Sequence, residues 1–250
     1  MKKISTCAVL LAACVLISGR AKADVFPANL TIDTDASTLD LQVSLTAFGV
    51  YSDSDSATAV TSGNLETNID QTGIDPPALS VEFTGGILAL SDVSLFLEIP
   101  ELPLMLSINS MGLGGTILGG GPFATDGGNP GYFDPGGLSI SLDAGSLEVT
   151  GGVNSSIDLD SDPIDFDIPI SAVVATIEEN DIGGGTIDVT ITLPVVVTTV
   201  IDLSGLATIG IDLSGTIVAR GQKIVPEPST LVLAGFGLAA MVAIARRRRK

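Results

Sequence analysis

Asp158, Asp160 and Asp162 are spaced by two, so on a β-strand their carboxylates would share one face. Like charges at that density repel, and a hard cation such as Ca2+, which takes about six to eight oxygen ligands, would relieve the repulsion. The other reading of these residues is a solvated acidic strand face. An EF-hand loop is excluded, because its sixth position would be Pro163 where glycine is needed and its twelfth Pro169 where glutamate is needed. Asp53 and Asp55, inside the polar run Ser52–Ser56, repeat the spacing.

Other chemistry is limited by what the chain lacks. It has no histidine, its only cysteines are Cys7 and Cys14, and no lysine lies between Asp24 and Gln222. That removes Ser-His-Asp and Cys-His triads, Ser-Lys dyads and His- or Cys-ligated zinc from residues 24–222. Carboxylate pairs remain, which keeps a carboxylate-based glycoside hydrolase open as an alternative. The missing tryptophan deprives such an enzyme of the usual sugar platform, and no Asp-Thr-Gly or Asp-Ser-Gly triplet of an aspartic protease occurs.

Charge restricts the partners. Residues 24–223 carry 28 acidic and two basic side chains, Arg220 and Lys223, whereas the whole chain has a net charge of −18. Nucleic acid and anionic lipid headgroups are repelled by such a field; cations and neutral or cationic polymers are not.

These side chains must be positioned by strands. From Leu39 to Ala47 every odd residue is apolar, and Ile187 to Leu193 repeats the phase, as a strand with one buried and one wet face requires. Similar alternation covers 80–84, 87–97, 138–142, 157–170, 194–203 and 209–219. Its phase inverts after Pro163, which predicts a bulge or corner there. Gly-Gly steps and the turns at Asn129-Pro130-Gly131 and Asp134-Pro135-Gly136 punctuate these runs at barrel or sandwich intervals. The fold expected for residues 24–224 is a single acidic all-β domain, an antiparallel β-sandwich or barrel. The stretch 119–137 is expected to be irregular; its Phe123, Tyr132 and Phe133 could stack on a sugar ring or fold back as a lid over the core.

The chain ends carry an address. Lys2 and Lys3, an apolar stretch to Ile17 and Ala21-Lys22-Ala23 predict a signal peptide over 1–23, cleaved before Asp24. Leu11-Ala12-Ala13-Cys14 offers a competing lipoprotein processing site. Residues 229–245 contain no charge and predict one C-terminal transmembrane helix of about 25 Å. The basic tail Arg246, Arg247, Arg248, Arg249 and Lys250 would stop transfer and leave the body outside, anchored at the cytoplasmic membrane.

Pro226, Glu227 and Pro228, followed by the apolar run and the arginine cluster, resemble the PEP-CTERM sorting signal of exopolysaccharide-producing Gram-negative bacteria. The resemblance covers residues 225–250. It implies an exosortase as partner, removal of the tail, and release or attachment at the cell surface. Two prolines flanking Glu227 oppose helix there and keep the peptide extended. The expectation is therefore a non-enzymatic cell-surface or matrix protein, associated with exopolysaccharide or biofilm as the resemblance implies. The alternative is a barrel or sandwich binding module for a small apolar ligand or a glycan.

Overall fold

The computed structural model describes residues 24–47, 51–71, 77–99, 104–151, 154–169, 173–203 and 207–225. The expected signal peptide and Cys14, the triplet Pro226, Glu227 and Pro228, and the tail Arg246, Arg247, Arg248, Arg249 and Lys250 lie outside the described residues.

The alternating runs become strands. In chain order these are β1 (Asp24–Ile32), β2 (Thr38–Ala47), β3 (Tyr51–Gln71), β4 (Ala78–Leu90), β5 (Ser94–Ile99), β6 (Leu104–Ala124) and β7 (Gly131–Phe133). There follow β8 (Ser139–Gly151), β9 (Ser155–Asp158), β10 (Ile164–Asp167), β11 (Ala175–Gly183), β12 (Thr186–Leu203) and β13 (Ala207–Ile224). Every pairing is antiparallel, and one path of neighbours runs β10-β8-β6-β4-β3-β1-β13-β12-β11-β7.

Three pairs of strands are single long strands interrupted once. β1 and β2 both pair with β3 on one side and β13 on the other, with residues 33–37 making the break. β4 and β5 lie end to end along β6, and β10 and β9 along β8. The break at 33–37 is held by Ser37, whose Oγ donates to the Val218 carbonyl at 3.1 Å and accepts the Val218 amide at 2.9 Å. β1 and β2 thus fill the gap between β3 and β13, uniting residues remote in sequence.

The two wings of the sheet curl toward each other. β7 belongs in sequence to the β6–β8 connection on one wing, yet it pairs with β11 at the edge of the other. This gives a sandwich-like body with the apolar rows inside. Leu39, Leu41, Val43 and Leu45 of β2 are buried, as are Ile187, Val189, Ile191, Leu193, Val195 and Val197 of β12. Burying each such side chain stabilises by about 1.5–3 kcal/mol. The intervening Asp40, Gln42, Thr198 and their like face solvent, the reverse of the apolar-out pattern of a membrane barrel. Gly63 shows how closely the strands approach: at φ +130°, a Cβ there would lie 1.9 Å from the Ile87 carbonyl oxygen.

The expected transmembrane helix over 229–245 requires correction. Among the described residues no helix is long and apolar enough to cross a membrane, and 229–245 lie outside them. The described chain follows the period-two alternation of strands. Among the described residues the fold class is all-β and no membrane-spanning helix occurs. Membrane partnership and cytoplasmic-membrane localisation through that helix therefore have no support among the described residues.

Candidate functional site

The structure does not place Asp158, Asp160 and Asp162 on one strand face. β9 ends at Asp158, whose Oδ1 accepts the Asp160 amide at 3.2 Å, while the Asp162 amide donates to the Asp158 carbonyl at 3.0 Å. Asp160 in turn accepts the Gly145 amide at 3.3 Å. Side chains of this kind compete with strand pairing for backbone donors and so end the strand. All three aspartates are exposed, and Leu159 between them is buried. The corner expected at Pro163 is present as the break between β9 and β10. Among the described residues no group of three or more His, Cys, Asp or Glu is placed to hold a metal ion.

Asp53 and Asp55 have a structural role instead. They lie on the half of β3 that faces β5, whose backbone does not pair with β3. The Asp55 Oδ2 accepts the Phe96 amide at 2.8 Å and the Asp53 Oδ2 accepts the Glu98 amide at 2.7 Å. Two carboxylates thereby take the place of strand carbonyls along a row of β5 donors that β6 leaves free.

Residues 119–137 are partly regular. β6 extends to Ala124, Phe123 and Phe133 fold inward, and Tyr132 remains exposed. The rings of Phe83, Phe123 and Phe133 form a cluster with centroids 6.0, 6.3 and 6.2 Å apart. This is the lid-like alternative for two of the three aromatics. At the loop's outer side the Asp126 Oδ1 accepts the amides of Gly128 and Tyr132, both at 3.0 Å. The Gly128 bond, followed by that of Tyr132, holds the Asp126 carboxyl below the usual carboxylate range.

Sequence reasoning missed a buried polar cluster. Lys223 is wholly buried, and its Nζ donates to Gln71 Oε1 at 2.6 Å and to Glu179 Oε1. The Phe26 ring lies 5.7 Å from the same nitrogen. Gln71 Nε2 and Glu179 Oε2 are buried without a hydrogen-bond partner. Burial pushes the Lys223 pKa below its ordinary value, opposed by the hydrogen bond and charge of Glu179. The signal in the sequence was phase: Ile217, Ala219 and Lys223 lie on one side of β13, the side that faces the core.

Two open grooves lie on the outer surface. One, of about 390 Å3, is lined by Glu148, Val149, Thr150, Asn154 and Ser156; the other, of about 320 Å3, by residues that include Asn29, Glu66, Thr67 and Asn68. Their amides, hydroxyls and carboxylates suit hydrogen bonding to a polyhydroxylated ligand.

Residues 225–250 match the PEP-CTERM protein-sorting motif. The chain thus carries a protein-sorting motif behind a body that is all-β among the described residues. The match covers the tail alone and assigns no family to the strands. The chain matches no curated protein sequence. Two similar solved structures are both of Ail, the attachment invasion locus protein of Yersinia pestis, one of them in complex with the heparin analogue sucrose octasulfate. Each is 10% identical and covers 77% of this chain and 98% of Ail, with TM-scores of 0.24 and 0.23. TM-scores this low define no common fold.

Proposed function

We propose that this chain is a non-enzymatic binding module that an exosortase sorts to the cell surface or extracellular matrix, where its polar outer face engages a neutral or cationic exopolysaccharide. The observation that carries the reading is the sorting motif at 225–250, directly after a strand-built acidic body. Pro226, Glu227 and Pro228 form the recognition triplet in this reading, with the basic residues 246–250 as the end of the removed segment. The large acidic excess disfavours anionic polymers, and the groove at Glu148, Thr150, Asn154 and Ser156 supplies hydrogen-bonding groups without a catalytic constellation.

The test has two parts. Mass spectrometry of the protein from its native envelope should read an N-terminus at Asp24 and a C-terminus near Pro226. Exopolysaccharide extracted from the same cells should retain the processed protein, and Asn154→Ala with Glu148→Gln should weaken retention several-fold. An intact Lys250 at the surface would overturn the sorting reading. Failure of the polysaccharide to retain the protein at any ionic strength would overturn the binding reading.

A further inference from the structure

We propose that Lys223 Nζ and the Gln71 carboxamide join in an intramolecular amide cross-link, with Glu179 carrying the proton. The inference is independent of the exopolysaccharide reading, because it rests only on the buried cluster.

The geometry brings nucleophile, electrophile and proton carrier together in a dry interior. Lys223 Nζ stands 2.6 Å from Gln71 Oε1, and the carboxamide carbon is one C=O bond, about 1.23 Å, from that oxygen. Glu179 contacts the same nitrogen through Oε1 and keeps Oε2 free of partners. Gln71 Nε2, the leaving nitrogen, is likewise unpartnered. Phe26 covers the amine and helps to exclude water, the competing nucleophile.

Desolvation favours the neutral amine, as in other lysine nucleophiles activated by an apolar site. Within the pair the ammonium proton passes to Glu179, leaving Lys223 as an amine and Glu179 as a carboxylic acid. The amine attacks the Gln71 carbonyl carbon, so that the Nζ–Cδ bond forms and Oε1 takes up the electron pair. As the carbonyl re-forms, the Cδ–Nε2 bond breaks and Nε2 leaves as ammonia, its third hydrogen relayed from Nζ through Glu179. Of the five hydrogens at the start, three leave on ammonia, one remains on the new amide and one remains on Glu179. Nothing is oxidised or reduced. The product replaces a buried ion pair and an unpartnered amide by neutral groups, which removes part of the desolvation cost of the starting cluster.

The bond would span 152 residues and tie the end of β3 to the end of β13, across β1. In a body without cysteine between residues 24 and 225, it would do what a disulfide does elsewhere, closing a long loop and restricting the unfolded chain.

Intact-mass spectrometry of the protein from its native envelope tests the proposal. The expected mass is lower by one ammonia than that calculated from the observed termini, and digestion should yield a branched peptide joining Gln71 to Lys223. Lys223→Met, Gln71→Met and Glu179→Gln should each restore the calculated mass. If those variants do not fold, the wild-type protein still decides the matter after denaturation. A Lys223 that resists acylation in denaturant supports the cross-link. The full calculated mass with Lys223 freely acylated would overturn it, as would loss of one water with Lys223 joined to Glu179.

Discussion

Asn129 clasps the backbone of Glu179 with both ends of its carboxamide. Its Nδ2 donates to the Glu179 carbonyl at 2.6 Å and its Oδ1 accepts the Glu179 amide at 3.0 Å. A side chain from the β6–β8 connection thereby extends the pairing that β7 begins with β11. It also fixes the backbone from which Glu179 reaches inward to Lys223. Asn129→Ala should cost about 0.5–1.5 kcal/mol for each bond lost. Denaturant titration would measure the loss, and hydrogen exchange at the Glu179 amide should rise well before the global transition.

The carboxylates of Asp53 and Asp55 give the second prediction. Replacing either by alanine should expose a β5 amide and destabilise by about 1.5 kcal/mol, the low end for bonds to a charged acceptor. Exchange should accelerate at Glu98 in Asp53→Ala and at Phe96 in Asp55→Ala. If the two amides stayed equally protected in both variants, the pairwise assignment would be wrong.

Two glycines with positive φ should respond differently to alanine. At Gly63 the added Cβ would lie 1.9 Å from a backbone oxygen that cannot move aside, so Gly63→Ala should cost about 3 kcal/mol or more. At Gly112, with φ +62°, nothing lies within 4 Å of the added atom, and only the left-handed backbone penalty of about 1–2 kcal/mol remains. Thermal melts of the two variants would rank them.

Acid should loosen the loop around Asp126. Its folded carboxyl is held below the ordinary value by the Gly128 and Tyr132 amides, so the unfolded loop binds the proton more readily. The stabilisation is therefore complete above the ordinary carboxylate range and disappears as pH falls through the depressed folded value. NMR titration of the Gly128 and Tyr132 amides should report that order of events, and Asp126→Asn should flatten it.

Core truncation sets the scale for all of these. Leu193 is fully buried in β12, and Leu193→Ala should cost about 2–5 kcal/mol. Chemical denaturation would show it as a lowered midpoint with an unchanged slope.

Much of the architecture was legible where polar and apolar residues alternate strictly. β2, β12 and most of β13 follow from their spacing, as does the corner at Pro163. The first half of β3 did not, because Ser52–Ser56 carries no apolar residue; its carboxylates are wanted for hydrogen bonds to β5, which no local pattern announces. β6 was hidden by its glycines. Gly115 must admit the Ser141 carbonyl, which would lie 2.6 Å from an added Cβ, and that neighbour is remote in sequence. The three aspartates at 158–162 misled because a strand was assumed to continue through them, whereas the Asp158 side chain turns the backbone. The tail motif was readable from local order alone, whereas the membrane-spanning helix inferred beside it has no counterpart among the described residues. Lys223 needed only its phase to be noticed.

The placement of β1 and β2 between β3 and β13 has a temporal consequence. In a polypeptide delivered N-terminus first, the opening segment must wait for the final one before both of its edges are satisfied. A product truncated before β13 would keep a raw edge and lack the sorting motif. Closure of the sheet by β13 and arrival of the sorting motif that follows it therefore come together, late in the chain.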